Sequence, residues 1–167
     1  MKLSAAESGK DAGITVKDGI YYAKRLQDAG ADALEVLAGV WSSEKENTVK
    51  CSETECQTVG LCRILKKGIR KMTGKDPVIK TIGGGHVQRP QAAEQVLELH
   101  QCEFVFIGRE LLVQPDFVRL IEEEREDEIK HCIGCGICSR VQLQKNEACR
   151  CVLNPQVGRK IKENRVL

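Results

Sequence analysis

The stretch Cys132-Ile133-Gly134-Cys135-Gly136-Ile137-Cys138 constrains this chain more than any other. Two successive C-x2-C steps put three thiols on one tight loop, and Gly134 and Gly136 remove side-chain bulk beside them. Cys151 follows thirteen residues after Cys138, so a fourth sulfur returns from a separate turn. A cubane iron–sulfur cluster is held this way, each iron taking one cysteine. A four-cysteine zinc site is the nearest competitor, although zinc sites more often present two separated C-x2-C pairs. A disulfide framework is a distant third. Cys149 also lies within reach of the loop, so spacing alone leaves the fourth ligand open.

With 167 residues, 41% hydrophobic and 30% charged, the chain is long enough for one domain with a sizeable core. A formal net charge of +2 gives no electrostatic case for binding nucleic acid or a membrane surface. No apolar run approaches transmembrane length, and no secretory pattern follows Met1. Nine cysteines in that setting read as reduced thiols and metal ligands, with the cytoplasm as the expected compartment.

Ahead of the cysteines, hydrophobic runs alternate in period. Lys2-Leu3-Ser4 reads as the tail of a strand, and Thr15 caps a helix with Asp18 completing a capping box. Ile20, Ala23 and Leu26 form that helix's stripe, and Gly30 stops it. Ala33 to Ala38 reads as a buried strand and Gly39 to Glu55 as a polar loop. Leu61, Leu65 and Ile69 mark a second helix ending at Gly74. Pro77 to Ile82 is the next strand, a third helix carries Ala92 and Val96, and Glu103 to Ile107 is the last strand. Helical stretches follow at Glu110–Val113 and Asp116–Glu124, then a charged, solvated linker from Glu122 to Lys130. This alternation predicts α/β architecture with parallel strands.

The last two strands run directly into glycine, at Gly83-Gly84-Gly85 and at Gly108-Arg109. Backbone N–H groups there can approach a phosphate, and in a (β/α)8 barrel the phosphate site follows the last two strands. Gly84, Gly85 and the His86 amide, opposed by Gly108 and Arg109, are the phosphate candidates; a flexible turn is the bland alternative.

These features resemble the old yellow enzyme-related NADH:flavin oxidoreductases, in the branch holding 2,4-dienoyl-CoA reductase and trimethylamine dehydrogenase. The resemblance is carried by Lys2-Leu3-Ser4, Gly13-Ile14-Thr15, Ala29-Gly30-Ala31-Asp32, Pro77-Val78-Ile79 with Gly84-Gly85, and Ile107-Gly108-Arg109-Glu110-Leu111-Leu112. Pro115-Asp116, Cys132-Ile133-Gly134-Cys135 and Cys151-Val152-Leu153-Asn154-Pro155 complete it, so it reaches from Met1 to about Gly158.

The resemblance implies the C-terminal half of an FMN-binding (β/α)8 barrel over residues 1–125, then a 4Fe–4S segment over 126–167. It assigns the cluster to Cys132, Cys135, Cys138 and Cys151, the last because the family places it before an x-x-Asn-Pro turn, with Cys149 a spare. It assigns FMN contacts to Lys2, Gly84, Gly85, His86, Gly108 and Arg109, with Lys2 standing where the family has Arg and so lacking its planar fork. The implied chemistry is hydride transfer from NAD(P)H through FMN to an electron-poor alkene such as an enoyl-CoA or enoate. The barrel's first half, which in the family carries ring contacts and a proton-donating Tyr or His, has no counterpart here, and neither has an FAD/NAD(P)H module. A separate chain supplying either one is the implied partner. The isolated chain is expected to oligomerise through open strand edges and not to turn over. A non-catalytic electron-transfer or metal-binding module, or an inactive fragment, is the alternative.

Among the remaining candidates, His86 reads as an exposed loop residue or a cofactor contact, and His131 as exposed or hydrogen-bonded to a cluster sulfur. His100 ends a helix. Cys51 and Cys56 read as ordinary free thiols in a polar loop, Cys62 and Cys102 as core, and Glu35 as a strand-end charge.

Overall fold

Thr15 opens the first helix with the groups its sequence supplies. In the computed structural model, which describes residues 1–7, 13–38, 55–145 and 147–158, Thr15 Oγ1 accepts the Asp18 N–H at 3.3 Å. The Asp18 carboxylate accepts the Thr15 N–H in return at 2.9 Å, which closes the capping box. Helix α1 spans Val16–Asp28, and Gly30 turns the chain out of it at φ 86°. Helix α2, Val59–Thr73, buries Val59, Cys62, Leu65 and Ile69 along one stripe and ends on Gly74 at φ 72°. Helix α3, Pro90–Glu98, begins on proline, whose missing N–H costs nothing at a helix start.

These helices connect four strands: β1 Lys2–Ala6, β2 Ala33–Ala38, β3 Lys80–Gly84 and β4 Phe104–Phe106. The sheet order is β1-β2-β3-β4 with every neighbouring pair parallel, through Lys2↔Glu35, Leu34↔Thr81 and Ile82↔Phe104. That is the α/β, strand–helix–strand order expected for half of a (β/α)8 barrel. α1 packs on β1 and on α2, α2 on β2 and β3, and α3 on β4. Ala5, Leu34, Val36, Leu65 and Ile69 lie in the common core. Gly19 permits the α1–β1 contact, since a Cβ there would lie 2.2 Å from the Ala5 carbonyl oxygen.

Several boundaries differ from the sequence reading, and one of them has a clear cause. The strand expected over Pro77–Ile82 begins at Lys80, because the Val78 and Ile79 N–H groups donate to Gln27 Oε1 at 3.0 and 3.3 Å instead of joining the ladder. After the second C-x2-C step the chain is helical over Ile137–Lys145, an element the sequence reading does not place.

The chain gathers into two compact units, Met1–Ile107 and Gly108–Leu167. The second contains α4 Arg109–Val113, α5 Phe117–Glu122, a 3-10 turn at Glu126–Glu128 and α6 Ile137–Lys145. Its buried side chains include Glu110, Val113, Phe117, Leu120 and Ile129. The linker from Glu122 to Lys130 is otherwise exposed, as expected of solvated charge. Among the described residues no helix is long and apolar enough to cross a membrane.

One polar network ties the start of β3 to β4. Glu103 accepts the Thr81 N–H at 2.7 Å and its hydroxyl at 2.9 Å, while Lys66 Nζ donates to the other oxygen at 2.8 Å. Burial opposes the charge on Glu103, but these donors outweigh it and hold the carboxyl below its ordinary value of 4.5.

Two predictions follow from the packing and from this network. Gly19→Ala is expected to destabilise the fold by about 1–3 kcal/mol through overpacking. Gly60→Ala, where a Cβ meets nothing within 4 Å, should instead stabilise by roughly 0.5–1 kcal/mol; urea unfolding compares them. A carboxyl with a lowered folded-state pKa stabilises above its ordinary pKa and loses that contribution as pH falls through the folded value. Glu103→Gln should therefore cost about 1–3 kcal/mol at neutral pH. The gap from wild type should narrow below pH 4.5, and a gap independent of pH would refute the network's role.

Candidate functional site

The loop leaving β3 is fastened at both ends to the segment before α2. Thr58 Oγ1 accepts the Gly84 N–H at 2.9 Å, and the Gly84 carbonyl accepts the Thr58 N–H at 3.0 Å. Further along, Glu55 accepts the N–H groups of Gln88 and Arg89, both at 2.8 Å, and Arg89 Nε at 2.7 Å. Burial opposes the Glu55 charge, but the backbone donors and the Arg89 guanidinium hold its carboxyl below the ordinary range. Between these anchors Gly85 and His86 both sit in the left-handed region, at φ 86° and 56°. The three glycines thus have separate reasons. A Cβ on Gly83 would lie 2.7 Å from Val59 Cγ2, and one on Gly84 would lie 2.5 Å from the Phe106 carbonyl oxygen. Gly85 serves the turn itself. The Gly84 N–H, a phosphate candidate from sequence, already has Thr58 as its acceptor.

Lys2, the other cofactor candidate in this unit, pairs with Glu35 at 3.0 Å. Cys62 and Cys102 are buried as expected, and Cys56, read as an ordinary free thiol, is free and also buried. Burial pushes the Cys56 thiol up to about 11 and the Cys62 thiol up to about 12, so both stay protonated and unreactive. Cys51 lies outside the described residues.

In the second unit Gly108 and Arg109 open α4. Gly108 has an ordinary φ of −112°, and a Cβ there would meet nothing within 4 Å, so folding does not require glycine. Arg109 Nη1 is buried with no hydrogen-bond partner. An unpartnered buried guanidinium nitrogen beside a bare backbone suits an anionic group such as a phosphate.

The cysteine loop begins under Glu110. Both Glu110 oxygens accept the Cys132 N–H at 3.1 Å, and Oε2 lies 3.3 Å from His131 Nδ1. His131 therefore faces a carboxylate here, not a sulfur. Gly134 and Gly136 take φ values of 66° and 69°, which reverse the chain twice between the cysteines. That reversal lets the Gly134 N–H donate to Cys132 Sγ at 3.4 Å. α6 then starts at Ile137 and carries Cys138 in its first turn. The returning turn is tied down by Asn154, whose Nδ2 donates to the Leu112 carbonyl at 2.9 Å and whose Oδ1 accepts the Gln156 N–H at 3.1 Å. The Cys149 thiol is pushed up by burial and by the neighbouring Cys138 and Cys151.

Cys132, Cys135, Cys138 and Cys151 thus share one compact unit. Among the described residues, no three His, Cys, Asp or Glu side chains are gathered as a group that could hold a metal ion. Four cysteine thiols are nevertheless the donor type that an iron–sulfur cluster takes. Sequence reasoning missed Glu110, Thr58 and Glu55 as organising residues, because each reads locally as ordinary helix-start or loop polarity.

No protein-family model matches the chain. It is 30% identical to an NADH oxidase of Thermoanaerobacter brockii over 156 residues, covering 93% of this chain and 23% of that protein. A bilirubin reductase of Mediterraneibacter gnavus is 25% identical, covering 87% of this chain and 22% of that protein. A cinnamate reductase of Clostridium sporogenes is 24% identical, with coverages of 92% and 22%. The chain therefore spans under a quarter of these relatives' length. Its fold matches that of histamine dehydrogenase from Rhizobium sp. 4-9, with a TM-score of 0.74, 22% identity and coverages of 96% and 22%. It also matches 6-hydroxypseudooxynicotine amine oxidase from Pseudomonas geniculata N1, with a TM-score of 0.77, 19% identity and coverages of 95% and 22%. Sequence relatives and the parallel half-barrel sheet agree, and what this chain resembles is the NADH:flavin oxidoreductase family.

Proposed function

We propose that the chain is part of an oxidoreductase that uses FMN and a 4Fe–4S cluster, with NAD(P)H as reductant and an electron-poor alkene as substrate. The observation that carries this reading is the set of Cys132, Cys135, Cys138 and Cys151 within one compact unit, with the Gly134 N–H donated to the Cys132 sulfur. The kinship with a cinnamate reductase supports an enoate-like substrate, a double bond conjugated to a carboxyl group.

FMN supplies hydride transfer and the cluster one-electron transfer when they are bound. The chain's own residues supply binding and orientation. Arg109 offers a buried, unpartnered Nη1 to the FMN phosphate, and Gly108 lets the phosphate come close to the backbone. Gly85 and His86, in the anchored turn after β3, are the other phosphate candidates. The Gly134 N–H donates to Cys132 Sγ, the kind of hydrogen bond that tunes a cluster through its ligand sulfurs.

Two experiments on the full 167-residue chain test this. After anaerobic reconstitution, Cys132→Ala, Cys135→Ala, Cys138→Ala and Cys151→Ala should each lose iron and the broad visible absorbance, while Cys149→Ala keeps both. Iron retained by Cys151→Ala but lost by Cys149→Ala would exchange those two assignments, and bound zinc in place of iron would sink the cluster reading. In FMN titrations followed by flavin fluorescence, Arg109→Ala should weaken binding by about tenfold or more, the worth of a charged hydrogen bond. Gly108→Val should weaken it too without lowering the melting temperature. Equal affinity in wild type and both variants would remove the phosphate from this site.

A further inference from the structure

We infer that Glu110 is a positioning residue for the iron–sulfur loop, holding the main chain at Cys132 and lowering the cluster's reduction potential through its charge. The inference rests on the cluster reading proposed above. Glu110 is only 3% exposed, although glutamate is a residue that seldom leaves water without partners. Its partners all lie where the cysteine loop begins: both oxygens take the Cys132 N–H at 3.1 Å, and Oε2 faces His131 Nδ1 at 3.3 Å. Since the Cys132 N–H points to Glu110, the orientation of that residue's peptide is fixed from helix α4. The Cys132 sulfur, on the same residue, receives its own donor from Gly134 at 3.4 Å. Glu110 thereby sets the direction in which the first ligand leaves the backbone.

Residues that orient a ligand from behind typically change metal affinity by about 10–100-fold when removed. A carboxylate beside a cluster also repels the electron that reduction adds, and more strongly out of water than in it. Its removal should make the cluster easier to reduce. Glutamine keeps one acceptor oxygen for the Cys132 N–H but no charge, and alanine keeps neither.

The test uses the full chain reconstituted anaerobically with iron and sulfide, as wild type, Glu110→Gln and Glu110→Ala. Iron release to a ferrous chelator and the midpoint potential from a redox titration are measured at one pH, with circular dichroism and melting as controls of the fold. Glu110→Gln is expected to keep the wild-type fold and absorbance, to have a higher midpoint potential, and to release iron about tenfold faster. Glu110→Ala should release iron faster still; if it fails to fold, Glu110→Gln decides alone. A Glu110→Gln protein with wild-type iron release and potential overturns the role of Glu110 while leaving the cluster reading intact. A wild-type chain that takes up no cluster overturns both.

Discussion

Parallel strand pairing is the constraint to which the first unit answers. Two parallel neighbours cannot be joined by a tight turn, so each connection must climb back along the sheet, here as α1, α2 and α3. Those helices have to sit close against the strands they connect, and the sequence gives way where they do. Gly19 lets α1 meet the β1 backbone at Ala5, Gly83 lets β3 meet Val59 of α2, and Gly68 admits the Ile20 side chain between α1 and α2. Strand alternation then leaves Lys2, Glu35, Ile82 and Phe104 on the face opposite the helices. In a closed barrel that face is interior, which explains why it mixes an ion pair with aromatic and aliphatic groups.

A second device recurs through both units: a carboxylate that accepts backbone N–H groups from a distant segment. Glu103 does this for Thr81, Glu55 for Gln88 and Arg89, and Glu110 for Cys132. In each case the amide served lies at the edge of a regular element or a sharp turn, where helix and sheet ladders leave donors unmatched. A charged acceptor makes a stronger bond than a neutral one and is less easily replaced by water. The strand starts, the turn after β3 and the mouth of the cysteine loop are thus fixed by side chains, and their positions do not depend on local chain stiffness.

What was legible in the sequence was whatever local chemistry determines. The Thr15–Asp18 capping box, the helix stops at Gly30 and Gly74, and the parallel α/β order all rest on neighbours within a few residues or on a clear period. The start of β3 was misplaced because Gln27, far away in sequence, takes the N–H groups of Val78 and Ile79. α6 was missed because Ser139, Arg140 and Gln142 give it no apolar stripe. The cysteines were legible as ligands from spacing, but the residue that anchors them was not. Glu110 at a helix start is the commonest kind of surface glutamate, and only the fold shows that it is buried under a loop 22 residues later.

Lys2 shows how a departure from a family pattern can be weighed physically. Its ammonium already has a partner in Glu35 at 3.0 Å, which by itself would suggest a side chain committed to the fold. The Lys2 side chain is 69% exposed, however, and an ion pair that open to water is worth little, so exchanging Glu35 for another anion costs little. What Lys2 lacks is the planar fork of an arginine, which meets a carboxylate or phosphate with two parallel donors; its ammonium is a compact charge with three donors. An anion at this position would therefore share the ammonium with Glu35, as Lys66 Nζ serves both the His100 carbonyl and Glu103. The register of β1 on β2, which sets Lys2 directly opposite Glu35, makes that pairing a property of the sheet itself.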